Sequence, residues 1–201
     1  MVTVTECTTL GKGRLRFHLD NGTELVLYRG EAKQFRMREG STLSDEEEHQ
    51  LIYEVVGKRA KRRTMHLLEQ MDRTEQQLRE KLKQGGYPQA CIDLALEYVK
   101  SFHYVDDYRY ACTYINYRQD RMSRYQLKVK LYGKGVSGEL IDRALEECYE
   151  GDEQDQIIRL LEKKKFDAQN SDPKEFTRVY QYLMRRGFRS NDLLRAMKSK
   201  Q

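Results

Sequence analysis

The residues able to do chemistry are few and scattered. Cys7, Cys91, Cys112 and Cys148 stand at long, uneven spacings with no C-x-x-C, so neither a zinc site nor a disulfide framework is expected. His18, His49, His66 and His103 are isolated, and none belongs to an H-E-x-x-H run. Gly11-Lys12-Gly13 has the residue types of a phosphate loop. It lacks the four-residue spacer before Gly-Lys and the Ser or Thr after it, which predicts a plain turn. Asp106-Asp107 pairs two carboxylates, but a metal site needs further oxygen ligands that the neighbouring sequence does not supply. Asp106 is therefore read as a helix N-cap. No nucleophile–base pair, metal cluster or phosphate loop is legible, so neither an enzyme nor a cofactor is expected.

Binding chemistry is better represented. Residues 118–134 carry six bases, Arg118, Arg121, Arg124, Lys128, Lys130 and Lys134, against one acid, Asp120. Cations packed this densely suit phosphates or an acidic protein groove. Residues 1–57 hold 7 Lys/Arg and 10 Asp/Glu, a net of −3, so the chain total of +5 leaves +8 on residues 58–201. Arg59, Arg62 and Arg63 begin that basic part as either a solvated face or a binding face. Lys81 and Arg186 complete the candidate partner surface. Tyr110, Tyr114 and Tyr117 recur at i, i+4, i+7. Such a row stacks bases in a single-stranded groove or packs one helix face into a core.

The element that must position these cations is Ser123–Leu145. Ser123 is a natural N-cap, Leu127 and Leu131 share a helix face, and Gly133 and Gly135 stop the helix. Ser137 then caps a second helix with Leu140, Ile141, Ala144 and Leu145 inward. An offset of 49 residues lays this stretch on an earlier one. Thr74, Leu78, Lys81, Leu82, Gly86, Tyr87, Ile92, Asp93, Ala95 and Leu96 fall on Ser123, Leu127, Lys130, Leu131, Gly135, Val136, Ile141, Asp142, Ala144 and Leu145. An offset of 52 finds a third copy: Val179, Leu183, Arg186, Gly187, Phe188, Leu193, Ala196 and Met197. An ungapped period near 50 is the mark of a helical repeat. It does not fit the known 34-residue peptide-binding repeats.

Ahead of the repeats, Val2–Thr5, Arg14–Leu19 and Glu24–Tyr28 alternate as strands. Asp20-Asn21-Gly22 forms the hairpin turn, and a short helix lies near Glu31–Phe35. Gly40–Ser44 reads as a linker, Ser44 and Glu47 as a capping box, and Gly57 as a break or kink before a second helix from about Lys58. In the third copy, Asp152 and Asp172-Pro173 start helices, Tyr180, Leu183 and Met184 point inward, and Asn191 caps the last helix before a basic tail. No run of ~18 apolar residues exists, so no membrane span is expected. No secretory signal is visible, which makes the cytoplasm the default location.

The segments Tyr104-Val105-Asp106-Asp107-Tyr108-Arg109-Tyr110-Ala111 and Lys130-Leu131-Tyr132-Gly133-Lys134-Gly135-Val136-Ser137 resemble the RecX family of recombination regulators. Arg59-Ala60 through Leu82 is similar to the family's first repeat, and the resemblance covers about residues 44–201. It implies a mainly α fold of three tandem three-helix repeats in an elongated, curved array behind a small β-meander. The segments expected are 1–43, 44–101, 102–150 and 151–201. It further implies a monomer that binds the groove of the RecA–DNA filament and modulates ATP hydrolysis and strand exchange in DNA repair and the SOS response. Periodicity and charge alone reach a basic helical-repeat protein that binds single- or double-stranded DNA directly. The third copy has Tyr182 in place of Lys130 and Lys81.

Overall fold

The structure, a computed structural model, describes residues 1–198. The basic tail expected beyond Lys198, and with it the end of the 151–201 segment, lies outside the described residues. The chain forms two units, Met1–Asp106 and a second beginning at Asp107.

The first unit opens with an antiparallel sheet in the order β3-β2-β1-β4, built from β1 (Val2–Gly11), β2 (Arg14–Leu19), β3 (Glu24–Tyr28) and β4 (Thr42–Leu43). Alternation along β2 turns Phe17 and Leu19 inward, where Leu25 and Leu27 of β3 join them, all buried. Gly22 takes the positive φ of 80° that the β2–β3 turn needs. Gly11-Lys12-Gly13 is a turn in which all three residues have positive φ. Two readings change. β1 runs ten residues, through a stretch of threonines that carries no apolar alternation. The segment read as a linker contains β4, which pairs Val2 with Leu43. A two-residue strand has no periodicity to announce it, and only the partner strand creates it.

A short helix α1 (Arg29–Gln34) follows β3. Then α2 (Asp45–His49), a π-helical stretch (Gln50–Val56) and α3 (Gly57–Gln70) run on without a break. Ser44 Oγ accepts from Glu47 N at 3.1 Å, and Glu47 Oε2 accepts from Ser44 N at 2.9 Å, closing the capping box. Gly57 does not interrupt the helix. Its φ is −63°, and a Cβ there would lie 2.8 Å from Leu94 Cδ2 and 3.0 Å from the Ile52 carbonyl. The glycine lets α3 lie against α5, and the wide π turn brings the Ile52 carbonyl within reach of the Gly57 N–H.

The three-helix modules are α3, α4 (Glu75–Gln84) and α5 (Gln89–Ser101); α6 (Asp107–Arg118), α7 (Arg124–Tyr132) and α8 (Gly138–Cys148); and α9 (Glu153–Lys163), α10 (Pro173–Met184) and α11 (Ser190–Lys198). In each, the second helix starts on a side-chain cap. Thr74 and Ser123 hydroxyls accept from Gln77 N and Gln126 N at 3.2 Å, and Asp172 Oδ1 accepts from Glu175 N at 2.6 Å. In each it ends at a left-handed glycine, with φ of 76°, 84° and 79° at Gly86, Gly135 and Gly187. In the first two modules the next residue closes a six-to-one bond, Tyr87 N to the Leu82 carbonyl and Val136 N to the Leu131 carbonyl. Leu78, Leu127 and Val179, then Leu82, Leu131 and Leu183, then Ile92, Ile141 and Leu193 occupy matched buried positions. Truncating any one of the leucines or isoleucines among them to Ala costs about 2–5 kcal/mol.

The sheet and first module share one core, which joins Phe17, Leu25 and Leu27 to Leu51, Val56 and Ile92. A sheet this small is marginal alone, and this packing supports it. Three further readings change. Met184 is 41% exposed, Tyr117 is 82% exposed, and α11 begins at Ser190, which puts Asn191 inside the helix. Among the described residues no helix is long and apolar enough to cross a membrane.

Candidate partner-binding surface

The basic segment 118–134 spans the end of α6, the turn after it and all of α7. Ser123 fixes where α7 begins, and its hydroxyl has two tasks. It accepts from Gln126 N, and it donates to the Arg186 carbonyl at 2.7 Å, which ties the second module to the third. The residue is fully buried. Gly187 allows that approach, because a Cβ there would overlap the edge of the Tyr125 ring. Gly86 has the same double role in the first unit. It closes α4, it leaves no room for a Cβ beside the Val26 side chain, and its carbonyl accepts from Val26 N at 3.1 Å.

Most of the expected cations are engaged within their own unit. In the second unit, Lys128 Nζ meets Asp142 Oδ1 at 2.5 Å. Arg118 lies over the Tyr114 ring at 5.5 Å, Arg124 over Tyr149 at 5.8 Å and Arg186 over Tyr182 at 4.8 Å. Lys134 stands over both Tyr110 and Tyr114. Those two rings stack on each other with centroids 6.4 Å apart. They are half-buried, so the tyrosine row divides between a lysine-capped pair and the exposed Tyr117. Arg121 and Lys130 are exposed and form no ion pair among the described residues.

In the first unit, Arg62, Arg63 and Lys81 are exposed. Arg59 is drawn inward. Its guanidinium pairs with Glu31, donates to the Val26 carbonyl and lies between the Tyr28 and Tyr87 rings at 5.0 and 5.4 Å. Its side chain is 15% exposed. It clamps α3 to the sheet.

The sequence comparison had aligned Asp93 with Asp142 without finding their partners. Arg79 meets Asp93 at 2.6 Å, and Lys128, 49 residues after Arg79, meets Asp142. The pair links second to third helix in both modules. Arg79 and then Gln89 hold the Asp93 carboxyl below its usual value. Lys100, then Arg79, does the same for Glu75. The buried Cys91 thiol is pushed up to about 12 by desolvation, and Cys148 to about 11 by desolvation and then by the Cys112 thiol beside it. Thiols shifted this way are poor nucleophiles at neutral pH.

Three family models match in tandem. They are the first, second and third three-helix domains of RecX, at residues 60–98, 106–145 and 151–197. The chain belongs to the RecX family. A Regulatory protein RecX of Caldanaerobacter subterraneus is 29% identical over 80% of this chain and 80% of its own length. One of Geobacillus kaustophilus is 33% identical over 77% of this chain and 59% of its own length. One of Clostridium acetobutylicum is 25% identical over 98% and 94%. The fold is similar to a crystal structure of a regulatory protein RecX, with TM-score 0.64 and 21% identity over 96% of this chain and 97% of that one. A second, RecX from Lactobacillus salivarius, gives TM-score 0.63 and 16% identity over 72% and 96%. The RecX domain matches fall on the modules α3–α5, α6–α8 and α9–α11, one on each, so the internal repeat follows the family's domain order. The sheet lies ahead of the first RecX domain.

Proposed function

We propose that this RecX-family chain is a negative regulator of the RecA recombinase. It works as a cytoplasmic monomer built of segments 1–43, 44–101, 102–150 and 151–201. It lies in the groove of the RecA–DNA filament and slows ATP hydrolysis and strand exchange by occupying space, with no chemistry of its own. The tandem match of all three helical modules to the RecX domains carries this reading. The excess of positive charge on residues 58–201 supports an anionic partner. The test is DNA-dependent ATP hydrolysis by the recombinase with increasing amounts of the chain. A falling rate is expected, and an unchanged rate defeats the proposal.

A second reading, direct binding of single- or double-stranded DNA, draws on the exposed Arg121 and Lys130, which form no ion pair among the described residues. Fluorescence anisotropy with free DNA separates the two. Tight binding that weakens steeply with salt and needs no recombinase favours this one.

A further inference from the structure

Helix α7 is apolar on both sides. Leu127 and Leu131 are fully buried, while Tyr125, Val129 and Tyr132 are 63%, 50% and 71% exposed. The exposed three stand at i, i+4 and i+7, which is one stripe of a helix. The repeat supplies its own control. At the matched positions the first module has Gln76, Glu80 and Lys83, and the third has Thr177, Gln181 and Met184. Gln76 and Glu80 are hydrogen-bonded to each other at 3.1 Å, and the Thr177 hydroxyl returns to the Pro173 carbonyl. A three-helix module of this kind therefore folds with a largely polar outer face on its second helix. Tyr125 lays one ring edge against Gly187 of the third module, whereas Val129 and Tyr132 are additions the fold does not require.

Three occupants have chemistry that suits an apolar stripe. A second copy of the chain would bring Arg121, Arg124 and Lys130 against their own duplicates, and like charges across a small contact disfavour that. Single-stranded nucleic acid would stack bases on the rings and lay phosphates along the cations. At the centre of the stripe, however, stands Val129, which has no π face, and the carboxylate of Asp142 sits against Lys128. The spacing matches the anchors of a helix laid into a protein groove, and tyrosine is enriched among residues that dominate such contacts.

We propose that α7 inserts Val129 and Tyr132 into an apolar groove on the partner protein, with the exposed face of Tyr125 at its edge, and that carboxylates on the rim of that groove meet Arg121, Arg124 and Lys130. The proposal rests on the reading that the chain binds the recombinase filament. It assigns α7 to the protein of that filament and not to its DNA.

The experiment uses the full chain with Val129→Gln and Tyr132→Lys, residue types that the sister modules carry at these positions. Affinity is measured for preformed recombinase filament and, separately, for free single-stranded DNA. Filament affinity is expected to fall on the order of 30-fold. Free DNA affinity should hold or rise, since a lysine has been added, and the melting temperature should be kept. Equal filament binding by variant and wild type overturns the proposal while leaving the recombinase reading intact. A parallel loss of free DNA affinity overturns it in favour of nucleic acid. Wild-type dimerisation that the variant abolishes overturns it in favour of a second copy. A wild-type chain that does not bind filament removes both the reading and the proposal. Should the double variant melt early, Tyr132→Ser alone, at the exposed last residue of α7, serves the same comparison.

Discussion

Replacing Gly187 with alanine separates the two reasons for a glycine at the end of α10. The backbone there has φ of 79°. An L-residue with a Cβ holds that conformation at a cost of about 1 kcal/mol or slightly more. The new methyl would also overlap the edge of the Tyr125 ring and come within 3.1 Å of Ser123 Oγ. Overpacking of this kind costs about 1–3 kcal/mol, and it presses on the hydrogen bond from Ser123 to the Arg186 carbonyl. Gly187→Ala should therefore destabilise the second unit by about 2–4 kcal/mol. Gly133→Ala, in the same unit, is the contrast. Its φ is −64°, its Cβ would meet nothing closer than 3.4 Å, and it should be neutral or stabilising by about 0.5 kcal/mol. Urea unfolding followed by circular dichroism measures both. Adding Tyr125→Ala removes the ring overlap but not the approach to Ser123 Oγ, and against Tyr125→Ala alone the cost of Gly187→Ala should drop to about 1–2 kcal/mol. If Gly187→Ala costs as much in the Tyr125→Ala background as in the wild type, the module-to-module contact does not explain the glycine.

Arg59→Met leaves Glu31 only its bond from Tyr28 N, takes the guanidinium from the Val26 carbonyl, and should cost about 2 kcal/mol in the first unit; a wild-type melting curve would show the clamp to be idle. The carboxyls of Glu75 and Asp93 are held below their ordinary 4.5 and 3.8. Their contribution is thus present above those values and lost as pH falls through the lower, folded ones. Melting temperature should stay level above about pH 5 and fall below about pH 4, and Arg79→Met should flatten that acid limb. An unaltered limb in the variant would assign the acid sensitivity to other groups. Reversing Arg121, Arg124, Lys128 and Lys130 to Glu should reduce filament binding more than about tenfold with the circular dichroism spectrum kept. Retained binding would move the partner surface off α7.

Much of the fold was legible because a repeat multiplies its own signal. Leu78/Leu127/Val179 and Leu82/Leu131/Leu183 mark the same buried turns three times, and each copy ends at a glycine with positive φ. The caps at Thr74, Ser123 and Asp172 were readable because a short polar side chain before an apolar helix face has few other uses. Less was legible where one residue's role depends on another far along the chain. Gly57 resembles a helix break until Leu94 is placed beside it. Thr42–Leu43 resembles a linker until β1 lies alongside.

The candidate surface divides in the same way. Charge count marked residues 118–134 as cationic, since composition is additive and needs no geometry. It could not say which cations were already engaged. Lys128 looks like Lys130 in the sequence, yet among the described residues Lys128 is ion-paired and Lys130 is not. Tyr110 and Tyr117 belong to one periodic row, yet one is half-buried under Lys134 and the other stands in water. Periodicity records which side of a helix a residue lies on, and so the sequence determined the modules and their caps. Whether that side meets core, neighbour or solvent depends on what packs against it. Only the tertiary structure decided that Arg59 turns inward and that Tyr125, Val129 and Tyr132 face outward.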